Sequence, residues 1–166
     1  MKRWMAIGLI VLVVLVVLVA GTWIGFSLFN LSALPEPSAA ESYLATRAKH
    51  MLVHRAASHA AIPPAPTDIK ASAKDGETYF GVDCSMCHGA TGRKPTDNGR
   101  WMYPRAIDLG SQETQSYSNR ELFWIVKNGI RLSGMPAFGK METDEHIWDL
   151  VHYLRTLPRS AKPPAS

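Results

Sequence analysis

The apolar positions of this chain follow two different patterns, and they belong to two different kinds of structure. Residues 5–29 run 25 positions without a formal charge and are dominated by Val, Leu and Ile. As a helix rising ~1.5 Å per residue, that run would be about 37 Å long, enough to cross a hydrocarbon core of ~30 Å with some tilt. Beyond it, apolar residues become sparse and periodic. Ile147, Leu150, Val151 and Leu154 recur at spacings of three and four and predict the buried stripe of a helix over 143–157. Thr143 is its expected N-cap, Asp144 and Glu145 suit its first turn, and Pro158 stops it.

Two more helices follow from local signals in the same region. One is expected over 71–84. The other starts at Ser118, where Glu121 completes a Ser-x-x-Glu capping box, and ends at Asn128-Gly129. A weakly amphipathic helix is expected over 39–61, with Leu44, Ala48, Met51, Leu52 and Arg55 three to four apart. No stretch alternates apolar and polar residues convincingly, so no sheet is expected and the fold class is all-α.

These elements divide the chain into four parts. Residues 1–33 form an N-terminal transmembrane anchor or signal sequence, and 34–68 a helical and Pro-rich linker. Residues 69–160 form a small folded domain, and 161–166 a flexible tail. Leu34-Pro-Glu-Pro breaks the first helix, and Ile62-Pro-Pro-Ala-Pro-Thr67 favours an extended spacer. Lys2 and Arg3 precede the apolar run, whereas the residues just after it offer only Glu36 and Glu41 before Arg47. The positive-inside rule then keeps the N-terminus cytoplasmic and exports the rest. A cleaved signal peptide is the rival reading, with Ser38-Ala39-Ala40 as a small-residue site, although signal-peptide apolar cores usually span only ~7–15 residues.

The formal charge of +4 changes little. Residues 71–166 hold 12 Lys and Arg against 11 Asp and Glu, a balance of +1, which is not a nucleic-acid-binding profile. Arg47, Lys49 and Arg55 with His50, His54 and His59 give the 39–61 segment a basic, histidine-rich surface. His50 and His54 sit one helical turn apart but have no third ligand nearby in sequence, so they read as a solvated face.

The chemistry-bearing string is Cys84-Ser-Met-Cys87-His88. Two cysteines three apart can form thioethers with the two vinyl groups of a haem, and the adjacent histidine is then delivered to the iron on the same face. This is the c-type haem attachment signature. A redox Cys-x-x-Cys pair and half of a zinc site are the alternatives. Zinc needs further ligands where no other cysteine exists, and a thiol-redox motif normally sits in a fold containing a sheet.

On these residues and several others, the segment 71–157 resembles the class I cytochrome c family. Gly76 and Phe80 match a small-residue and aromatic pair on the family's first helix, and Leu150 and Tyr153 match the partner positions on its last. The resemblance implies that these two helices cross closely. Gly134-Met135-Pro136-Ala137-Phe138 is similar to the loop carrying the family's second axial ligand, 47 residues beyond His88. The resemblance therefore implies one covalent haem c, held by Cys84 and Cys87, with His88 and Met135 on its iron. A soft, neutral thioether agrees with that role, because it favours ferrous iron. Met102 and Met141 are competing sulfurs outside the Gly-Met-Pro context. By resemblance the Pro104 carbonyl accepts the Nδ1 proton of His88, and Trp101, Tyr103 and Arg105 are candidates for contacts with the haem propionates.

With both axial positions filled, iron has no open site for a substrate, and electron transfer follows. The expectation is a single-pass protein of the bacterial inner membrane with its haem domain on the periplasmic side. It would carry single electrons between redox protein partners, alone or as a non-catalytic subunit of a respiratory oxidoreductase. No small-molecule substrate, catalytic residue or nucleic-acid partner is expected. The alternative is a peroxidase or gas sensor with a labile sixth ligand.

Overall fold

The computed structural model describes residues 2–28 and 30–159. Phe29, the last residue of the apolar run, and the 161–166 tail lie outside the described residues. Among the described residues the fold is all-α, with no strand. The chain divides into two compact units, Met1–Ser32 and Ala33–Ser166.

The first unit is one helix, α1 (Lys2–Leu28). Its stretch Arg3–Leu28 has a mean hydropathy of 3.0 and is long and apolar enough to cross a membrane. Its few hydroxyls are satisfied within the helix, Thr22 donating to the Leu18 carbonyl at 2.9 Å and Ser27 to that of Trp23 at 2.8 Å. Such internal pairing suits a helix in surroundings that offer no water.

The second unit is built on α2 (Ala39–His59), α3 (Ile69–Tyr79), a π turn (Phe80–Cys84), α4 (Ser85–His88), α5 (Asp97–Arg100), α6 (Gln112–Ser116), α7 (Asn119–Asn128), a 3₁₀ turn (Phe138–Lys140) and α8 (Asp144–Thr156). Its centre is the crossing of α3 and α8. Gly76 makes that crossing possible, because a Cβ there would overlap the Asp149 carbonyl and lie 3.0 Å from the Leu150 nitrogen. Beside it, Phe80 packs on Tyr153 with ring centroids 5.1 Å apart. The expected stripe of α8 is realised, with Ile147, Leu150, Val151 and Leu154 all buried against Phe80, Leu122 and Phe123. Each such side chain contributes roughly 1.5–3 kcal/mol when removed from water.

Both expected helix starts are present as predicted. Ser118 and Glu121 form the reciprocal capping box of α7, and Thr143 accepts the His146 amide at the start of α8. The helix expected over 71–84 begins two residues earlier, where the Asp68 carboxylate accepts the Ala71 amide at 3.0 Å. It widens into the π turn before the first cysteine.

The 34–68 segment is not a free linker. Val53 and Ala57 of α2 are buried against the unit. Arg120 of α7 donates to the Ala57 carbonyl at 2.8 Å and also to that of Ala60. Lys49 pairs with Glu113 at 2.6 Å. The proline stretch also packs, because its carbonyls are acceptors that no helix consumes, and the Trp148 indole donates to that of Pro63 at 3.1 Å. The helix was expected; its apolar contact was hidden because only Val53 and Ala57 carry it, too few to mark a stripe.

Candidate functional site

The site grows out of the end of α3. The π turn shifts the helical register by one residue immediately before Cys84, and π bulges of this kind occur often at functional sites. Cys84 then caps α4 and Cys87 is its third residue, both half-buried and both free thiols. Gly89, with φ of +78°, ends the turn, and its amide donates to the Ser85 carbonyl at 2.9 Å.

Burial pushes the Cys84 thiol up to about 12, with the Asp83 carboxylate adding to the effect. A redox or nucleophilic cysteine needs the opposite, a thiolate stabilised near neutral pH. No group of three or more His, Cys, Asp or Glu among the described residues is arranged to hold a metal ion directly. Two thiols three residues apart and the imidazole beside them are a donor set that could hold a macrocycle by two thioethers and reach its iron.

His88 is half-buried, and its Nδ1 donates to a main-chain carbonyl at 3.0 Å. That carbonyl belongs to Ile107 and not to Pro104, which corrects the expectation. Pro104 follows a cis peptide bond and stands exposed, three residues short of the acceptor. With Nδ1 committed, Nε2 is the nitrogen free to bind iron, and the hydrogen bond makes the ring a better donor. Burial lowers the His88 pKa, and the Ile107 carbonyl only partly opposes this, so the neutral ligand form is favoured.

The loop carrying Ile107 is tied to the attachment turn at several points. Thr96 donates its amide to the Cys87 carbonyl at 3.1 Å and its hydroxyl to the Met86 carbonyl at 2.5 Å. Gly99 packs so closely on Cys87 that a Cβ would overlap the Cys87 carbonyl, and the Ala106 amide closes the loop on the Gly99 carbonyl at 2.9 Å. Of the residues expected at the propionates, Arg105 pairs with Glu36, the Tyr103 hydroxyl donates to Glu41, and Trp101 stands 75% exposed. That hydrogen bond, more than burial, raises the Tyr103 pKa.

Met135 is half-buried against the same core cluster as Cys84, Ile125 and Ile130. Its amide donates to Ser133 Oγ at 3.2 Å, and its carbonyl accepts from the Ile130 amide at 3.4 Å. Of the competing sulfurs, Met141 is 63% exposed. Met102 is half-buried and touches Gly134, the residue before Met135.

Ile107, Thr96, Glu36 and Glu41 were not anticipated as parts of the site. A main-chain acceptor leaves no side-chain signature, and the two glutamates lie some sixty residues from their partners in sequence. His50 and His54 do face partners rather than solvent alone: His50 stacks on Tyr117 at 4.0 Å, and His54 Nδ1 lies 3.0 Å from Glu121.

Residues 71–154 match the sequence family described as cytochrome c oxidase, cbb3-type, subunit III. No curated protein matches the chain. Among solved structures, the reducing HAO-like protein complex of Kuenenia stuttgartiensis aligns with a TM-score of 0.51 at 21% identity, over 60% of this chain and 48% of that one. This chain thus spans about half the length of that relative, and the likeness is one of fold. A solved c-type cytochrome aligns at 27% identity and a TM-score of 0.45, over 51% of this chain and 99% of its own. Cytochrome cL of the marine methylotrophic bacterium Methylophaga aminisulfidivorans aligns at 20% identity and 0.46, over 78% and 72%.

Proposed function

Since this chain belongs to the cbb3-type cytochrome c oxidase subunit III family and is a class I monohaem c-type cytochrome, we propose that it is a membrane-anchored electron carrier with a closed iron site. Cys84 and Cys87 would hold haem c through thioethers, and His88 Nε2 and Met135 Sδ would bind its iron. The observation that carries the assignment is the His88 to Ile107 hydrogen bond, which commits one ring nitrogen and leaves the other for iron.

Haem c supplies the one-electron couple. The chain's residues set the conditions for its use. The Ile107 carbonyl would hold the His88 imidazole in a set orientation and make it a better donor. The Met135 thioether is neutral and soft, which stabilises the ferrous state and raises the midpoint relative to a second imidazole. Phe80, Leu150 and Leu154 belong to the buried apolar cluster on which Cys84 and Met135 pack.

The anchor reading is supported by the hydropathy of Arg3–Leu28 and by the basic residues before it. It puts the N-terminus in the cytoplasm and the haem domain in the periplasm. Redox proteins at the membrane, as separate partners or as fellow subunits of a respiratory oxidoreductase, are the partners this reading requires. Confinement to the membrane plane raises the effective concentration of such a carrier near them.

The test is a reduced-minus-oxidised spectrum and a carbon monoxide titration of the detergent-solubilised holoprotein. A c-type α-band and a reduced iron inert to carbon monoxide are expected. Rapid stoichiometric binding would show an open site and replace the carrier with a gas sensor or peroxidase. Retention in membranes after alkaline carbonate washing is expected, and its loss would remove the anchor.

A further inference from the structure

We infer that Met102 is a second thioether for the iron position assigned to Met135, able to take that position when Met135 leaves it. The inference rests on the preceding reading of the haem site. Its starting point is the burial of the methionines. Beyond α1, Met51, Met86 and Met141 are each more than three-fifths exposed, whereas Met102 and Met135 are both half-buried.

These two sulfurs sit beside the same glycine. A Cβ added to Gly134 would overlap Met102 Sδ and lie 3.0 Å from its Cγ and 3.2 Å from its Cε. The thioether of Met102 is therefore packed directly on the backbone of Gly134, one residue before Met135. Consecutive Cα atoms lie about 3.8 Å apart, and a methionine side chain with three rotatable bonds spans that distance readily.

The loop that carries Met102 is held in place independently of Met135. Its base is fixed by the Ala106 to Gly99 bond at 2.9 Å and by the contact of Gly99 with Cys87, while Ile107, five residues on, holds His88. The loop that carries Met135 holds backbone strain. Leu132 is 90% exposed with φ of 63°, a left-handed conformation that costs a non-glycine residue roughly 1–2 kcal/mol. The loop is closed by the Ser133 hydroxyl on the Ile130 carbonyl at 2.7 Å, by the Met135 amide on Ser133 Oγ at 3.2 Å, and by a long 3.4 Å bond from the Ile130 amide to the Met135 carbonyl. A strained loop thus holds the resident ligand, and a braced loop holds the reserve.

The exchange balances simply. The iron–sulfur bond to Met135 breaks and one to Met102 forms, a neutral thioether replacing a neutral thioether, with no proton or electron moved. Its consequence is a carrier that stays closed to exogenous ligands while the Met135 loop opens.

The experiment compares wild type, Met102→Ala, Met135→Ala and the double variant as holoproteins. The readouts are the long-wavelength ferric sulfur-to-iron band and carbon monoxide affinity of the ferrous form. Met135→Ala is expected to keep a thioether band, shifted in position, that the double variant lacks. If Met102 occupies the iron about nine-tenths of the time, carbon monoxide binds Met135→Ala about ten-fold more weakly than the double variant. A Met135→Ala protein that matches the double variant in both readouts overturns the inference. Loss of the band in Met102→Ala, with Met135→Ala unchanged from wild type, makes Met102 the resident ligand. That outcome supports Met102 as an iron ligand and refutes the assignment of Met135.

Discussion

Gly76 and Asp149 meet backbone against backbone, with no room between α3 and α8 for a methyl group. Backbone atoms cannot rotate aside as a long side chain can, so Gly76→Ala must push the helices apart. Overpacking of this kind costs about 1–3 kcal/mol. Chemical denaturation of the holoprotein should report that loss, with the α-band of the folded fraction unchanged. A loss below about 0.5 kcal/mol would mean that the crossing is not closely packed.

One residue-pair away, the same crossing buries a polar network. The Ser72 hydroxyl donates to Asp149 Oδ1 at 2.5 Å and lies 2.7 Å from His152 Nδ1, so the imidazole N–H donates to Ser72. All three residues are at most 6% exposed. Ser72→Ala leaves a buried carboxylate and a buried imidazole without their shared partner, at about 1–3 kcal/mol. Thermal melts near neutral pH measure it, and an unchanged midpoint temperature would contradict the network.

The network also sets a pH dependence. Burial lowers the His152 pKa below the ordinary 6.5, with Asp149 opposing it. The unfolded chain therefore binds a proton there more readily than the folded one. Stability from this group is present above the unfolded value and is lost as pH falls from about 6.5 toward the folded pKa. His152→Gln should flatten the slope of stability against pH in that window relative to wild type. An unaltered slope would show that His152 titrates alike in both states.

Arg105 pairs with Glu36 at an exposed site, so Arg105→Ala should change stability by only ~0–1 kcal/mol and leave the redox midpoint nearly unchanged. A large midpoint shift in potentiometric titration would return Arg105 to the propionates.

Leu132 pays for its left-handed backbone without burying its side chain. Leu132→Gly should therefore be neutral or stabilising by up to ~1 kcal/mol in denaturation experiments. A destabilisation would indicate a contact for the leucine side chain.

Much of this protein follows from local rules, and local rules are legible in one dimension. The apolar run, the capping box at Ser118 and Glu121, the Thr143 cap, the stripe of α8 and the Cys84-Ser-Met-Cys87-His88 turn each depend on residues within a few positions of one another. Spacing alone determines which of them share a helical face. The acceptor for His88, the packing of α2 on α7, the pairing of Glu36 and Glu41 with the 103–105 tip, and the approach of Met102 to Gly134 were decided only by the tertiary structure. Each joins groups far apart along the chain, and the deciding group is often a carbonyl or a bare Cα that every residue possesses. Pro104 was the acceptor that the family resemblance implied; Ile107 is the actual one because the closed 99–106 loop delivers its carbonyl to Nδ1.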